Sequence, residues 1–135
     1  MENELRQLAI SLGDHVSFGG EVTPDQLEQL YQNANLFIHP TLYEGSSIVT
    51  LEAMMYGLPI IATNAGGLPD KVQPEVNGWL VEPGDPATLS NAILQACNIR
   101  GRWEEMGKES ARIVREQFSW NRAGQLFLET FQQAK

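Results

Sequence analysis

Two short apolar runs, Leu36-Phe37-Ile38-His39 and Pro59-Ile60-Ile61-Ala62-Thr63, constrain the fold more than any other feature. Neither alternates with polar residues, so a strand built from either one hides both of its faces. Strands buried on both faces belong to parallel sheets covered by helices. Between the two runs, Ile48 to Tyr56 has helical character and stops at Gly57 and Pro59. A third short strand is expected at Gly78-Trp79-Leu80-Val81, and a further strand at Val16–Gly19 ending in a glycine turn.

Helices fill the intervals. Leu5, Leu8, Ala9 and Leu12 keep helical spacing before Gly13. Thr23-Pro24-Asp25-Gln26 reads as a capping box with proline at the first helical position, followed by an inner stripe of Leu27, Leu30, Tyr31 and Ala34. Asp85-Pro86 opens a helix through about Cys97, with Leu89, Ala92, Ile93 and Ala96 inward. Two more helices are expected at roughly 102–117 and 119–134. Strands alternating with helices at this spacing predict an α/β domain with a Rossmann-like parallel sheet and flanking helices. The 135 residues read as one unit.

The formal net charge of −8 disfavours a nucleic-acid or anionic-lipid partner, since both ask for a basic surface. A phosphate-bearing ligand remains compatible if backbone amides at a helix start hold it, because these need no lysine. The lone Cys97 is expected to be a buried structural thiol. With no long apolar run and no basic, apolar leader at Met1-Glu2-Asn3-Glu4, it suggests a cytoplasmic domain. The two histidines and one cysteine have no metal-ligand spacing, so neither metal nor cofactor is expected.

The segment Pro40 to Met54 follows a buried strand and opens a helix, the place where open α/β sheets bind ligands. Gly45 permits close approach of backbone to a ligand, and Ser46 and Ser47 can cap the helix while its free amides face an anion or a sugar oxygen. Glu44 and Glu52 are separated by roughly 10 Å of helical rise, too far to share a proton but suitable for two ends of one extended ligand. A glutamate at a helix start ordinarily complements the dipole, and one within a helix is ordinarily solvated. Glu52, however, is enclosed by Val49, Leu51, Ala53, Met54 and Met55, where a carboxylate needs a partner. His39, at the ligand end of its strand, reads as structural rather than as a catalytic base. Trp79, Trp103 and Trp120 read as core or interface anchors.

The ordered set Glu44-Gly45…Glu52-Ala53-Met54…Gly57-Leu58-Pro59…Gly66-Gly67-Leu68-Pro69-Asp70 closely resembles the signature of retaining GT-B glycosyltransferases of the glycosyltransferase group 1 family. Val16-Ser17-Phe18-Gly19, Asn77–Val81, Pro83–Pro86 and Phe118-Ser119-Trp120 extend the likeness across residues 5–131. The resemblance implies a nucleotide-sugar-binding, C-terminal half of a two-domain enzyme. By that likeness Glu52 takes the ribose hydroxyls and Glu44, the catalytic candidate, holds a donor-sugar hydroxyl. The backbone from Gly45 through Ser46 and Ser47 to Ile48 faces sugar and diphosphate, Gly20, Glu21 and Val22 lie against the base, and Thr41 stands where the family often has serine.

Ser46-Ser47 replaces the family's frequent Phe-Gly or Phe-Pro, and Asp70 replaces a glutamate, still able to cap a following helix. The family's first two strands, its basic pair and its acceptor domain have no counterpart here. The expected architecture is therefore an incomplete GT-B C-terminal domain over residues 1–135. Three resolutions are open: closure of the sheet between 16–19 and 36–39, edge pairing between copies as a homo-oligomer, or supply of the missing part by another polypeptide; the expected partners are the missing N-terminal acceptor domain or a complementing chain. The functional expectation is transfer of a sugar from a nucleoside diphosphate sugar to a glycan or lipid-linked acceptor, with the isolated chain inactive. The alternatives are a non-catalytic module using the fold for assembly, and an epimerase or phosphorylase of the same fold.

Overall fold

The computed structural model describes residues 2–133, which divide into two compact units, Met1–Leu30 and Tyr31–Lys135. In the first unit, α1 (Glu2–Ala9) leads into a 3-10 helix (Ile10–His15) broken at Gly13. Val16 is extended, yet residues 16–19 join no ladder among the described residues. The expected strand there is therefore absent: extended backbone without a hydrogen-bonded neighbour is not a strand. Leu5, Leu8 and Leu12 are exposed, so the apolar spacing of α1 marks a helix but no buried face.

Helix α2 (Pro24–Asn33) begins with the capping box read from the sequence. The Thr23 amide donates to Gln26 Oε1 at 2.9 Å, and the Gln26 amide donates to Thr23 Oγ1 at 3.4 Å. Of its expected inner stripe, Tyr31 is buried, while Leu27 and Leu30 are exposed.

The second unit is built on β1 (Phe37–His39), β2 (Ile60–Thr63) and β3 (Gly78–Val81), all parallel in the order β1-β2-β3. Phe37 faces Ile60 across the first pair, and Ile61 faces Trp79 across the second. All of β2 is buried, as its unbroken apolar run requires. Its side chains alternate between two cores. Ile60 and Ala62 pack with Ala53 and Met54 of α3 (Ile48–Met55) and Ile113 and Val114 of α5 (Trp103–Gln117). Ile61 packs on the opposite face with Ala92 and Ala96 of α4 (Pro86–Asn98). Each fully buried isoleucine stabilises by roughly 1.5–3 kcal/mol.

Capping follows the sequence. Asp85 accepts from the amides of Ala87 and Thr88 ahead of α4, and Ser47 accepts from the Thr50 amide ahead of α3. No helix follows Asp70, which is exposed in a run of turns, so its expected capping role is not found. Cys97 is exposed rather than buried, because α4 turns Ala92 and Ala96 inward and Cys97 outward. Trp103 is an anchor, donating its Nε1–H to the Ala96 carbonyl at 2.9 Å. Trp120, at 92% exposure, is not a core residue; it opens α6 (Trp120–Gln133), whose Phe127 and Phe131 are also exposed. The expected last residue of that helix, 134, lies outside the described residues.

Asn77 ties the start of β3 to α5. Its Oδ1 accepts from the Gln73 amide at 2.7 Å, and its Nδ2 donates to the Lys71 carbonyl at 3.1 Å and to Ser110 Oγ at 3.4 Å, with Asn77 itself fully buried. Asn77→Ala strands these groups and is expected to lower unfolding free energy by about 1–3 kcal/mol in urea titrations followed by circular dichroism.

Candidate functional site

The carboxyl ends of β1 and β2 each run into a loop, and the two loops lie against one another. The loop after β2 turns at Gly66, which has φ +52°, and any β-carbon there would overlap the Glu44 carbonyl. The Gly67 amide then donates to the Gly45 carbonyl at 2.9 Å. Thr63 Oγ1 donates to the Thr41 carbonyl at 2.7 Å, adding a second tie between the loops. Segment 40–47 is thus fixed by backbone contacts before any ligand arrives.

On that frame Glu44 is half-buried and meets His39 from the end of β1, with Nε2 and Oε2 3.0 Å apart. A carboxylate can only accept, so the imidazole places its Nε2–H on Glu44. His39 is therefore a positioning residue for Glu44. Gly45 has open space where a side chain would stand, and Ser46 and Ile48 are exposed. Ser47 is buried, capping α3 through the Thr50 amide and accepting from Thr50 Oγ1 at 2.8 Å. Thr41 spends its hydroxyl proton on the Tyr43 carbonyl at 2.7 Å.

Glu52, just over one turn into α3, has a different partner. Its Oε2 lies 3.2 Å from the Tyr31 hydroxyl, which also approaches the Val49 carbonyl at 3.4 Å. Burial pushes the Tyr31 pKa up to about 12, helped by the hydrogen bond and negative charge of Glu52. The two acids thus have separate partners, Glu44 in the loop before α3 and Glu52 within the helix. Gly20, Glu21 and Val22 belong to the first unit and are exposed.

Two residues of this site were not singled out from the sequence. Tyr31 read as part of an apolar stripe; the signal available was its hydroxyl, which needs a partner when buried. Lys71 lies in the turn after Gly66-Gly67, where a lysine is ordinarily solvent-exposed. It is instead 2% exposed, with its Nζ donating to the Gly67 carbonyl at 3.0 Å and to Ser46 Oγ at 3.3 Å. Beside these loops, an open cavity of about 180 Å³ runs over the end of β3 and the start of α4. Leu42, Thr63, Val81 and Gly84 are among its walls, and the sequence-predicted residues do not line it.

Comparison with known proteins gives the chain's family and fold. The family model of glycosyl transferases group 1 matches residues 1–113. A D-inositol 3-phosphate glycosyltransferase from Salinispora tropica is 34% identical over 132 residues, 96% of this chain and 27% of that protein. The sucrose-phosphate synthase of Thermosynechococcus elongatus superposes with a TM-score of 0.81 at 34% identity, covering 97% of this chain and 34% of that one. Anabaena HepE, solved with UDP, superposes with a TM-score of 0.82 at 28% identity, covering 97% of this chain and 36% of the other. The chain thus spans between 27% and 36% of the length of these three proteins. No described helix is long and apolar enough to cross a membrane.

Two outcomes are expected. Gly66→Ala forces an alanine into the left-handed region and against the Glu44 carbonyl, so chemical denaturation should show a loss of at least ~1–2 kcal/mol. The folded chain holds the Tyr31 proton up to about pH 12, against an ordinary value of 10.0. Stability is therefore unaffected by this group below about pH 10 and falls between about pH 10 and 12, as the unfolded chain alone releases the proton. Tyr31→Phe should abolish that slope and remove the highest-pH step of tyrosinate absorbance.

Proposed function

The chain belongs to the glycosyl transferases group 1 family, and from that premise we propose that it is the donor-binding part of a retaining glycosyltransferase. The observation that carries this reading is the pre-set cradle at the ends of β1 and β2. Gly45 and Ser46 lie open there, with Glu44 at one end and Glu52 farther along α3. A nucleoside diphosphate sugar is an extended ligand with hydroxyls at both ends and anionic charge in the middle. Glu52 accepts from the ribose hydroxyls, with Tyr31 fixing its carboxylate. Glu44, oriented by His39, accepts from a hydroxyl of the donor sugar. The amides at the start of α3 face the diphosphate, where a helix N-terminus favours negative charge.

The reaction in this reading breaks the bond between the anomeric carbon and the diphosphate through an oxocarbenium-like state. This chain's part is to hold the leaving diphosphate and the sugar in place and to stabilise developing charge with fixed donors. The activated sugar is itself the substrate, so the reading assigns no cofactor. HepE, solved in complexes with UDP and with UDP-glucose, is a relative that binds such a donor. The acceptor, a glycan or a lipid-linked sugar, is taken by an N-terminal domain or a complementing chain, and alone this chain transfers nothing. The lone cysteine, Cys97, suits a reducing cytoplasmic setting.

The test is calorimetric titration of the chain with UDP, GDP, ADP and dTDP. Wild type should bind at least one of them. Glu52→Ala should weaken that binding by roughly tenfold or more, the worth of a hydrogen bond to a charged group. Failure of all four to bind wild type, or equal binding by Glu52→Ala, contradicts the donor-site reading and leaves the non-catalytic module.

A further inference from the structure

Lys71 stands apart from the other basic residues of this acidic chain. Arg6, Arg102, Lys108 and Arg112 each pair with a glutamate on an exposed helical surface. Lys71 is buried, and among the described residues no carboxylate pairs with it. Its partners are neutral: the Gly67 carbonyl at 3.0 Å, Ser46 Oγ at 3.3 Å, and the face of Phe118, whose ring centre is 5.3 Å from Nζ. An ammonium has three donors and no acceptor, and a buried charge without a counter-ion is costly. This one is spent directly beneath the open Gly45–Ser46 turn. Because Lys71 donates to Ser46 Oγ, the Ser46 O–H is left to donate outward, polarised by the charge behind it. Ser46 itself is exposed.

We propose that Lys71 and Ser46 form an anion-recognition pair in the cradle, with the buried ammonium directing the Ser46 hydroxyl onto an anionic oxygen of the bound nucleotide sugar. The inference rests on the donor-site reading and adds a specificity-determining charge to it. Two oxygens of the ligand have the required chemistry: one on the diphosphate, and one on the carboxylate of an acidic donor sugar. The pair answers a difficulty raised by the composition, because the chain's net charge of −8 repels such a ligand at long range while one screened cation attracts it at contact.

Calorimetry on the full chain separates the cases. Wild type, Lys71→Met and Ser46→Ala are titrated with UDP, GDP, ADP and dTDP, each against its own nucleoside, and with UDP-glucose against UDP-glucuronate. A diphosphate contact predicts roughly tenfold weaker nucleoside diphosphate binding in both variants with nucleoside binding unchanged, which a merely structural role for Lys71 would not produce. A carboxylate contact predicts a loss confined to UDP-glucuronate. If Lys71→Met does not fold, Ser46→Ala decides alone, since its side chain lies outside the core. Binding of every probe by the folded variants as tightly as by wild type overturns the pair and leaves the donor site standing. Absence of nucleoside diphosphate binding to wild type overturns both.

Discussion

The site depends on the passage of one backbone turn beneath another. Gly66 lies so close to the Glu44 carbonyl that only a hydrogen fits on its α-carbon, and the next amide donates to Gly45. Through these contacts the loop leaving the central strand sets the height and direction of the loop leaving its neighbour. Glu44, Gly45 and Ser46 are then presented at the mouth of α3 by backbone rather than by side-chain packing. Side chains can hop between rotamers, whereas two turns locked carbonyl to glycine cannot separate without unfolding locally. The parallel sheet supplies the rest. Its two cores hold β2 from both faces, so the carboxyl ends of β1 and β2 are fixed relative to each other.

Electrostatics then distinguishes the acids of the site from the acids of the surface. Surface glutamates such as Glu104, Glu109 and Glu116 pair with lysine or arginine three or four residues away on α5 and contribute little beyond solubility. Glu44 and Glu52 meet instead an imidazole and a phenol, at 3.0 Å and 3.2 Å. The buried Lys71 follows both acids in the sequence and donates to the same loops, at the Gly67 carbonyl and Ser46 Oγ.

Much of this was legible in the sequence, for identifiable reasons. The unalternating runs at 36–39 and 59–63 are the strands β1 and β2, but only β2 is buried on both faces; β1 lies at the edge of the sheet and its Ile38 is exposed. The capping signals at Thr23–Gln26, Ser47 and Asp85-Pro86 act over three or four residues, so local sequence determines them. What was not legible depends on distant partners. Val16–Gly19 has the composition of a strand, but a strand exists only through its neighbour. Cys97 and Ala96 are adjacent in sequence, and only the packing angle of α4 decides which one turns inward. Lys71 looks like a surface lysine because nothing local reveals that Ser46, 25 positions earlier, lies above its ammonium. Ser46-Ser47 stood out as a polar departure from the family's habit, and the structure gives that departure a partner.

The central claim is that the locked turns, and not the neighbouring cavity beside Leu42 and Gly84, receive the ligand. Backbone amide shifts in a nitrogen-15 NMR titration with UDP-glucose and GDP-mannose test it most directly. The account predicts that the amides of residues 44–48, 66 and 67 move first and furthest, together with those around Glu52. Movement confined to residues 82–89, with the turns at Gly45 and Gly66 unmoved, would contradict it.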